Sequence, residues 1–172
     1  MKNFLLGVLT TLLVLLVGGL AYLRLGYAEV RGDWPASRWE TSLLGAAVHA
    51  SVRREAPEIA NPVPVTDENL IAGGKNYLGD CAGCHGRPGK ADKFDTEHSL
   101  FPAIPRLADG GTEYTEAQVF WIAKHGIRRS GMFANGKWTP DDELWRIAAF
   151  IKRMQVLPPA VQAALAPKEA GH

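Results

Sequence analysis

Between Phe4 and Leu23 the chain runs through twenty residues, FLLGVLTTLLVLLVGGLAYL, without one charged side chain. No other stretch limits the fold so firmly. At 1.5 Å per residue a helix of that length covers about 30 Å, the hydrocarbon thickness of one bilayer. A secretory signal peptide would also be apolar, with Lys2 as its basic leader, but its core is usually shorter and closes on a small-x-small site. Here the run continues to Arg24, and the best small pair, Gly26 and Ala28, lies beyond it. The expectation is an uncleaved, single-pass anchor over residues 1–26 that meets lipid through residues 4–23, with cleavage as the alternative. Lys2 on one flank faces Arg24, Arg31 and Arg38 on the other, mixed with Glu29 and Asp33, so the charges do not orient it.

About 145 residues remain, enough for one compact domain and a connecting segment and tight for two. The net charge is +1 with both signs interspersed, which argues against a nucleic-acid partner. From Ala36 to Ala56 a loose helical stripe of Trp39, Leu43, Ala46 or Ala47, and Val52 suggests a helix between Pro35 and Pro57. Such a helix could lie on the membrane surface, meet a neighbouring subunit, or simply space the domain. Pro57, Pro62 and Pro64 then make APEIANPVPVT an extended linker. Residues 27–65 are therefore assigned to a neck helix and linker, 66–157 to the main domain, and 158–172 to a peripheral tail.

The main domain reads as helical, since no run of alternating β-branched residues is present. A helix opens after Thr66, with Asp67 and Glu68 in its first turn, and runs toward the cysteines. Its Gly73 and Gly74 each cost about 1 kcal/mol against alanine, which suggests another backbone passing close by. LFPAIPRL is apolar but held by Pro102 and Pro105, and reads as a packed loop. Thr115 and Gln118 form a capping-box pattern before a helix that ends at Gly126. Thr139 as N-cap with Pro140 at the first helical position opens the last strong helix, whose apolar face is Leu144, Ile147, Ala148 and Ile151.

The chain's two cysteines stand in one short run, Cys81-Ala-Gly-Cys84-His85. A redox dithiol would want this spacing at a helix start in a βαβ setting, which is not visible. Zinc would need a fourth ligand, and His49, His98, His125 and His172 lack finger-like spacing. A disulfide between residues three apart would staple almost nothing. The remaining reading is covalent attachment of a c-type haem, the thiols forming thioethers and His85 binding the iron. The opposite iron ligand decides what such a haem does: a thioether closes the site for one-electron exchange, whereas an open site would bind small molecules. Met132, in the glycine-rich loop GIRRSGMFANGKW, is one candidate, whereas Met154 sits late in the last helix beside Lys152 and Arg153; His125 is the rival ligand and His98 a more remote third.

Residues from about Asn69 to Met154 resemble the class I cytochromes c, in particular the membrane-anchored monohaem members found beside respiratory complexes. Gly73 and Tyr77, eight and four positions before Cys81, match a glycine and an aromatic residue of that family's N-terminal helix. Trp145, Ala148 and Phe150 or Ile151 match the C-terminal helix that crosses it at the glycine. The sequence IPRL matches a proline-x-leucine loop, which implies that the Pro105 carbonyl orients His85 and that Leu107 packs on the haem. The resemblance assigns the distal ligand to Met132, although Phe133 stands where many members have proline. It implies a mainly α, class I cytochrome c-like domain with an N-terminal transmembrane helix, one haem c, and the haem domain in the periplasm of a bacterium, tethered to the inner membrane. The implied role is electron relay between redox protein partners, in particular a membrane respiratory complex or as a subunit of one, rather than enzyme catalysis. The alternative is a haem enzyme or gas sensor with an open distal site. Arg128 and Arg129 beside the Met132 loop could steer an acidic partner, approach the haem propionates, or be simple solvated surface.

Overall fold

A computed structural model of the chain describes residues 1–31, 34–89, 100 and 102–166. Every regular element among them is helical. The contacts divide the chain into two units, Met1–Gly32 and Asp33–His172.

The first unit contains α1, Lys2–Arg24, with a mean hydropathy of 2.5 over an 18-residue stretch and no buried residue. Among the described residues it is the one helix long and apolar enough to cross a membrane. Its two hydroxyls are satisfied within the helix: Thr10 and Thr11 donate to the carbonyls of Leu6 and Gly7 at 2.9 and 3.0 Å.

The second unit contains α2 (Arg38–Glu55), α3 (Asp67–Asn76), α4 (Ala82–His85), α5 (Leu107–Gly110), α6 (Glu116–His125), α7 (Asp141–Arg153) and α8 (Pro159–Leu165). A five-residue π-helical turn, Tyr77–Cys81, joins α3 to α4, and a 3₁₀ turn, Asn135–Lys137, precedes α7. The centre of the core is α7. Acidic Asp141, Asp142 and Glu143 occupy its first turn and basic Lys152 and Arg153 its last, as the helix dipole favours. Leu144, Trp145, Ile147, Ala148, Phe150 and Ile151 are all buried. On one side Trp145 stacks flat on Phe120 of α6, with ring centroids 4.1 Å apart. On the other, α7 crosses α3 so closely that a methyl on Gly73 would lie 2.2 Å from the Arg146 carbonyl oxygen. Only a residue without Cβ permits that crossing.

The helix starts follow the local chemistry. Thr66 accepts from the Asn69 amide, and Thr115 and Gln118 complete a reciprocal capping box. At α7 the cap differs from the expected one: Pro140 itself is the N-cap, the helix begins at Asp141, and no side chain caps it.

Two segments pack where the sequence suggested periphery. The 158–172 tail, in its described part, forms α8, where Val161 is wholly buried against Leu70 and Ala149. The neck helix α2 buries Val52 and docks on α6, with the Tyr114 hydroxyl 2.8 Å from His49 Nδ1. The linker is fastened too, as Asn61 donates to Glu116 at 2.8 Å and to the Trp145 carbonyl at 3.1 Å. Trp39 and Leu43 of the expected α2 stripe are exposed instead. Thirteen residues separate Trp39 from Val52, a rotation of about 220° at 3.6 residues per turn, so the loose spacing had joined opposite faces.

Candidate functional site

The π-helical turn is where the site is built. Tyr77 opens it, wholly buried, with its ring 5.5 Å from that of Phe150. Its hydroxyl donates to the Gly86 carbonyl at 2.9 Å and to the His85 carbonyl at 3.3 Å. A buried phenol thus ties the far end of the CAGCH run to the start of the turn. Such single π turns are rare and recur at functional sites.

Both cysteines are free thiols, Cys84 exposed and Cys81 half-buried. Burial, with smaller contributions from Asp80 and Cys84, pushes the Cys81 thiol up to about 11, so it is protonated at neutral pH. His85 is half-buried, and its Nδ1 lies 2.9 Å from the Pro105 carbonyl oxygen. Burial lowers the imidazole below its ordinary value, and the bond to Pro105 opposes that shift. A carbonyl can only accept, so in the neutral ring Nδ1 carries the proton and Nε2 keeps its lone pair.

The Pro105 carbonyl is itself fixed. Arg106 at φ −78°, ψ 81° forms an inverse γ-turn in which the Leu107 amide donates to Pro105 at 3.0 Å. Gln155, just past α7, donates to the carbonyls of Ala108 at 2.8 Å and Leu107 at 3.3 Å, anchoring this turn to the core. Leu107 is half-buried and packs against the main apolar cluster.

The third part is the loop from Ile127 to Ala134. The Met132 carbonyl accepts from the Ile127 amide at 2.8 Å, and the Met132 amide donates to Ser130 Oγ at 3.0 Å. Gly126, at φ 66°, sits so close beneath that a methyl there would be 2.6 Å from the Met132 carbonyl oxygen. Asn135 clamps the loop to α6 through the Ala123 carbonyl at 3.0 Å. Arg129, at φ 63°, is a left-handed non-glycine residue among the described ones. The Met132 side chain is half-buried, Arg128 and Arg129 are exposed, and Phe133 and Trp138 expose their rings 6.2 Å apart. Met154, by contrast, is a buried core residue, and His125 is exposed beside Trp121. His98 lies outside the described residues.

Residues 68–151 match the family model described as cytochrome c oxidase, cbb3-type, subunit III, a span just under half of the chain. That span contains the CAGCH run, the Pro105 turn and the Met132 loop. Residues 68–151 are a cytochrome c domain. Neither the curated proteins nor the solved structures compared gave a match.

A cytochrome c domain implies a covalently attached haem c and haem-based electron transfer. The residues present fit that group. Two unpaired thiols stand one turn apart beside an imidazole whose outer nitrogen bears a lone pair, and that imidazole is oriented by a fixed carbonyl. Among the described residues, no three His, Cys, Asp or Glu side chains come together to hold a bare metal ion. Gln155, Asn135 and Ser130 fasten the two loops of the cytochrome c domain, and the sequence does not single them out. They are common polar residues in loops or at helix ends, with no local pattern to mark them.

Proposed function

We propose that the chain is a membrane-tethered, single-pass protein of the bacterial inner membrane, its cytochrome c domain in the periplasm. It carries one electron at a time between redox partners, as a carrier beside a membrane respiratory complex or as a subunit of one. Cys81 and Cys84 would hold the haem through thioether links, and His85 Nε2 and the Met132 thioether would bind its iron. When bound, the haem supplies a reversible one-electron couple, poised upward by a thioether ligand. Pro105 holds the His85 ring and keeps its proton on Nδ1. Leu107 covers the haem face, while Gly73, Tyr77 and Trp145 build the α3–α7–α6 frame that carries the motif. Arg128 and Arg129 steer an acidic partner.

The observation that carries this reading is the 2.9 Å contact between His85 Nδ1 and a Pro105 carbonyl that a γ-turn already fixes. It leaves the lone pair on Nε2, the ring nitrogen that Pro105 does not hold, as an iron ligand would need. The family description supports a respiratory-complex partner. The α1 helix, apolar over its length and unburied, supports the tether. Met132→Ala tests the ligand set: the purified chain should retain one haem by intact mass, while its reduced form acquires carbon monoxide binding. Distal ligation unchanged from the parent protein would exclude Met132.

A further inference from the structure

The α2 helix has two apolar faces, and only one is used by the fold. Gly45, Val48, Val52 and Ala56 follow at intervals of three and four and turn toward the domain. Val52 and Ala56 are buried there, and Gly45 and Val48 half-buried. Trp39, Leu43, Ala46 and Ala50 make a second stripe on the opposite side. Trp39 is 70% exposed and Leu43 60%. Trp34, 58% exposed, lies just before the helix. The second stripe runs about 17 Å along the axis, and Arg53 and Arg54 border its C-terminal end.

We propose that this outer face of α2 lies in the headgroup layer of the bilayer that α1 spans, and so fixes the orientation of the cytochrome c domain at the membrane. Three observations select lipid as the occupant. Thirteen residues separate the end of α1 at Arg24 from the start of α2 at Arg38. Thirteen residues of chain span at most about 50 Å. That bounds the distance from the end of α1 to the start of α2 whether or not a partner is present. The stripe also leads with tryptophan, whose amphipathic ring favours the membrane interface, and Trp34 precedes it. The bordering arginines can lay their stems along apolar surface while their guanidinium groups stay among headgroups. Docking of α2 on α6 through Val52 and the His49–Tyr114 contact transmits this placement to the rest of the domain.

The proposal rests on α1 being an inserted anchor, and the experiment separates the two. The haem-bearing full chain is reconstituted in phosphatidylethanolamine–phosphatidylglycerol vesicles with a nitroxide on one introduced cysteine: Leu13→Cys in α1, Leu43→Cys in α2, or Gln162→Cys on exposed α8. Collision rates are measured with membrane-dissolved oxygen and with a water-soluble nickel chelate. The expected result is an oxygen-to-nickel ratio several-fold higher at 43 than at 162, and higher still at 13. A lipid-like ratio at 13 with equal, water-like ratios at 43 and 162 would overturn the proposal and leave the anchor intact. A water-like ratio at 13 would overturn the anchor reading and, with it, this proposal. A label at 43 shielded from both reagents would mean that another copy of the chain covers the face, which also overturns it.

Discussion

Gly73→Ala tests the crossing on which the cytochrome c domain is assembled. The added methyl would stand 2.2 Å from the Arg146 carbonyl oxygen and 2.5 Å from its carbon. Comfortable carbon–oxygen contacts begin near about 3.3 Å, so α7 would have to retreat by roughly 1 Å. The obstacle is helical backbone, which cannot swing aside as a side chain can. Overpacking of this kind costs about 1–3 kcal/mol, and a backbone clash belongs at the upper end. Alanine's better helix propensity returns up to about 1 kcal/mol. The net expectation is a loss of about 2 kcal/mol. Gly45→Ala is the control, because Gly45 lies inside α2 with nothing within 4 Å of the new methyl, and it should gain up to about 1 kcal/mol. Guanidinium unfolding of the haem-bearing chain in detergent, followed by circular dichroism, reads both. With a slope of about 3 kcal/mol per M, Gly73→Ala lowers the midpoint by about 0.7 M while Gly45→Ala leaves it level or raises it. A midpoint for Gly73→Ala at or above that of Gly45→Ala would refute the reasoning.

Tyr77→Phe removes the buried donor to the Gly86 and His85 carbonyls and should cost about 1–3 kcal/mol with the haem still attached; an unmoved midpoint would show that the hydroxyl carries no weight. Arg129→Gly relieves a left-handed backbone at φ 63° and should stabilise the fold by up to about 1 kcal/mol, whereas Gly126→Ala, at φ 66° and pressed on Met132, should destabilise it; stability moving in the same direction for both would contradict the loop geometry. In haem-free chain, the Cys81 thiol at about 11 is neutral, so iodoacetamide at pH 8 should label exposed Cys84 well before Cys81. Labelling of Cys81 should then rise about tenfold per pH unit until its thiol ionises, and equal labelling of the two at pH 8 by peptide mass spectrometry would be inconsistent with the burial of Cys81.

The haem chemistry was legible because Cys81, Cys84 and His85 fall within five residues and their spacing has few competing uses. The helical fold was legible from capping and apolar periodicity, and the conformational cost of Gly73 pointed to a close backbone neighbour before Arg146 could be named. What stayed hidden depends on contacts distant in sequence. The π-helical turn at Tyr77–Cys81 has the composition of an ordinary helix end. The γ-turn at Arg106 and the Gln155 clamp leave no local mark. Val161 sits in an alanine-rich tail that reads as peripheral, and only the surface offered by Leu70 and Ala149 shows why it is buried. Trp39 and Val52 looked like one stripe because spacing of three to five residues does not separate opposite faces of a long helix.

The most direct measurement of the central claim is the absorption spectrum of the reduced, membrane-purified protein before and after carbon monoxide. On the proposed ligand set, in which His85 Nε2 and the Met132 thioether would both bind the iron, the gas would find no position and the c-type spectrum should be unchanged. A clear carbon monoxide shift in the unmutated protein would contradict the closed, electron-relaying site and give precedence to an open haem that binds small molecules.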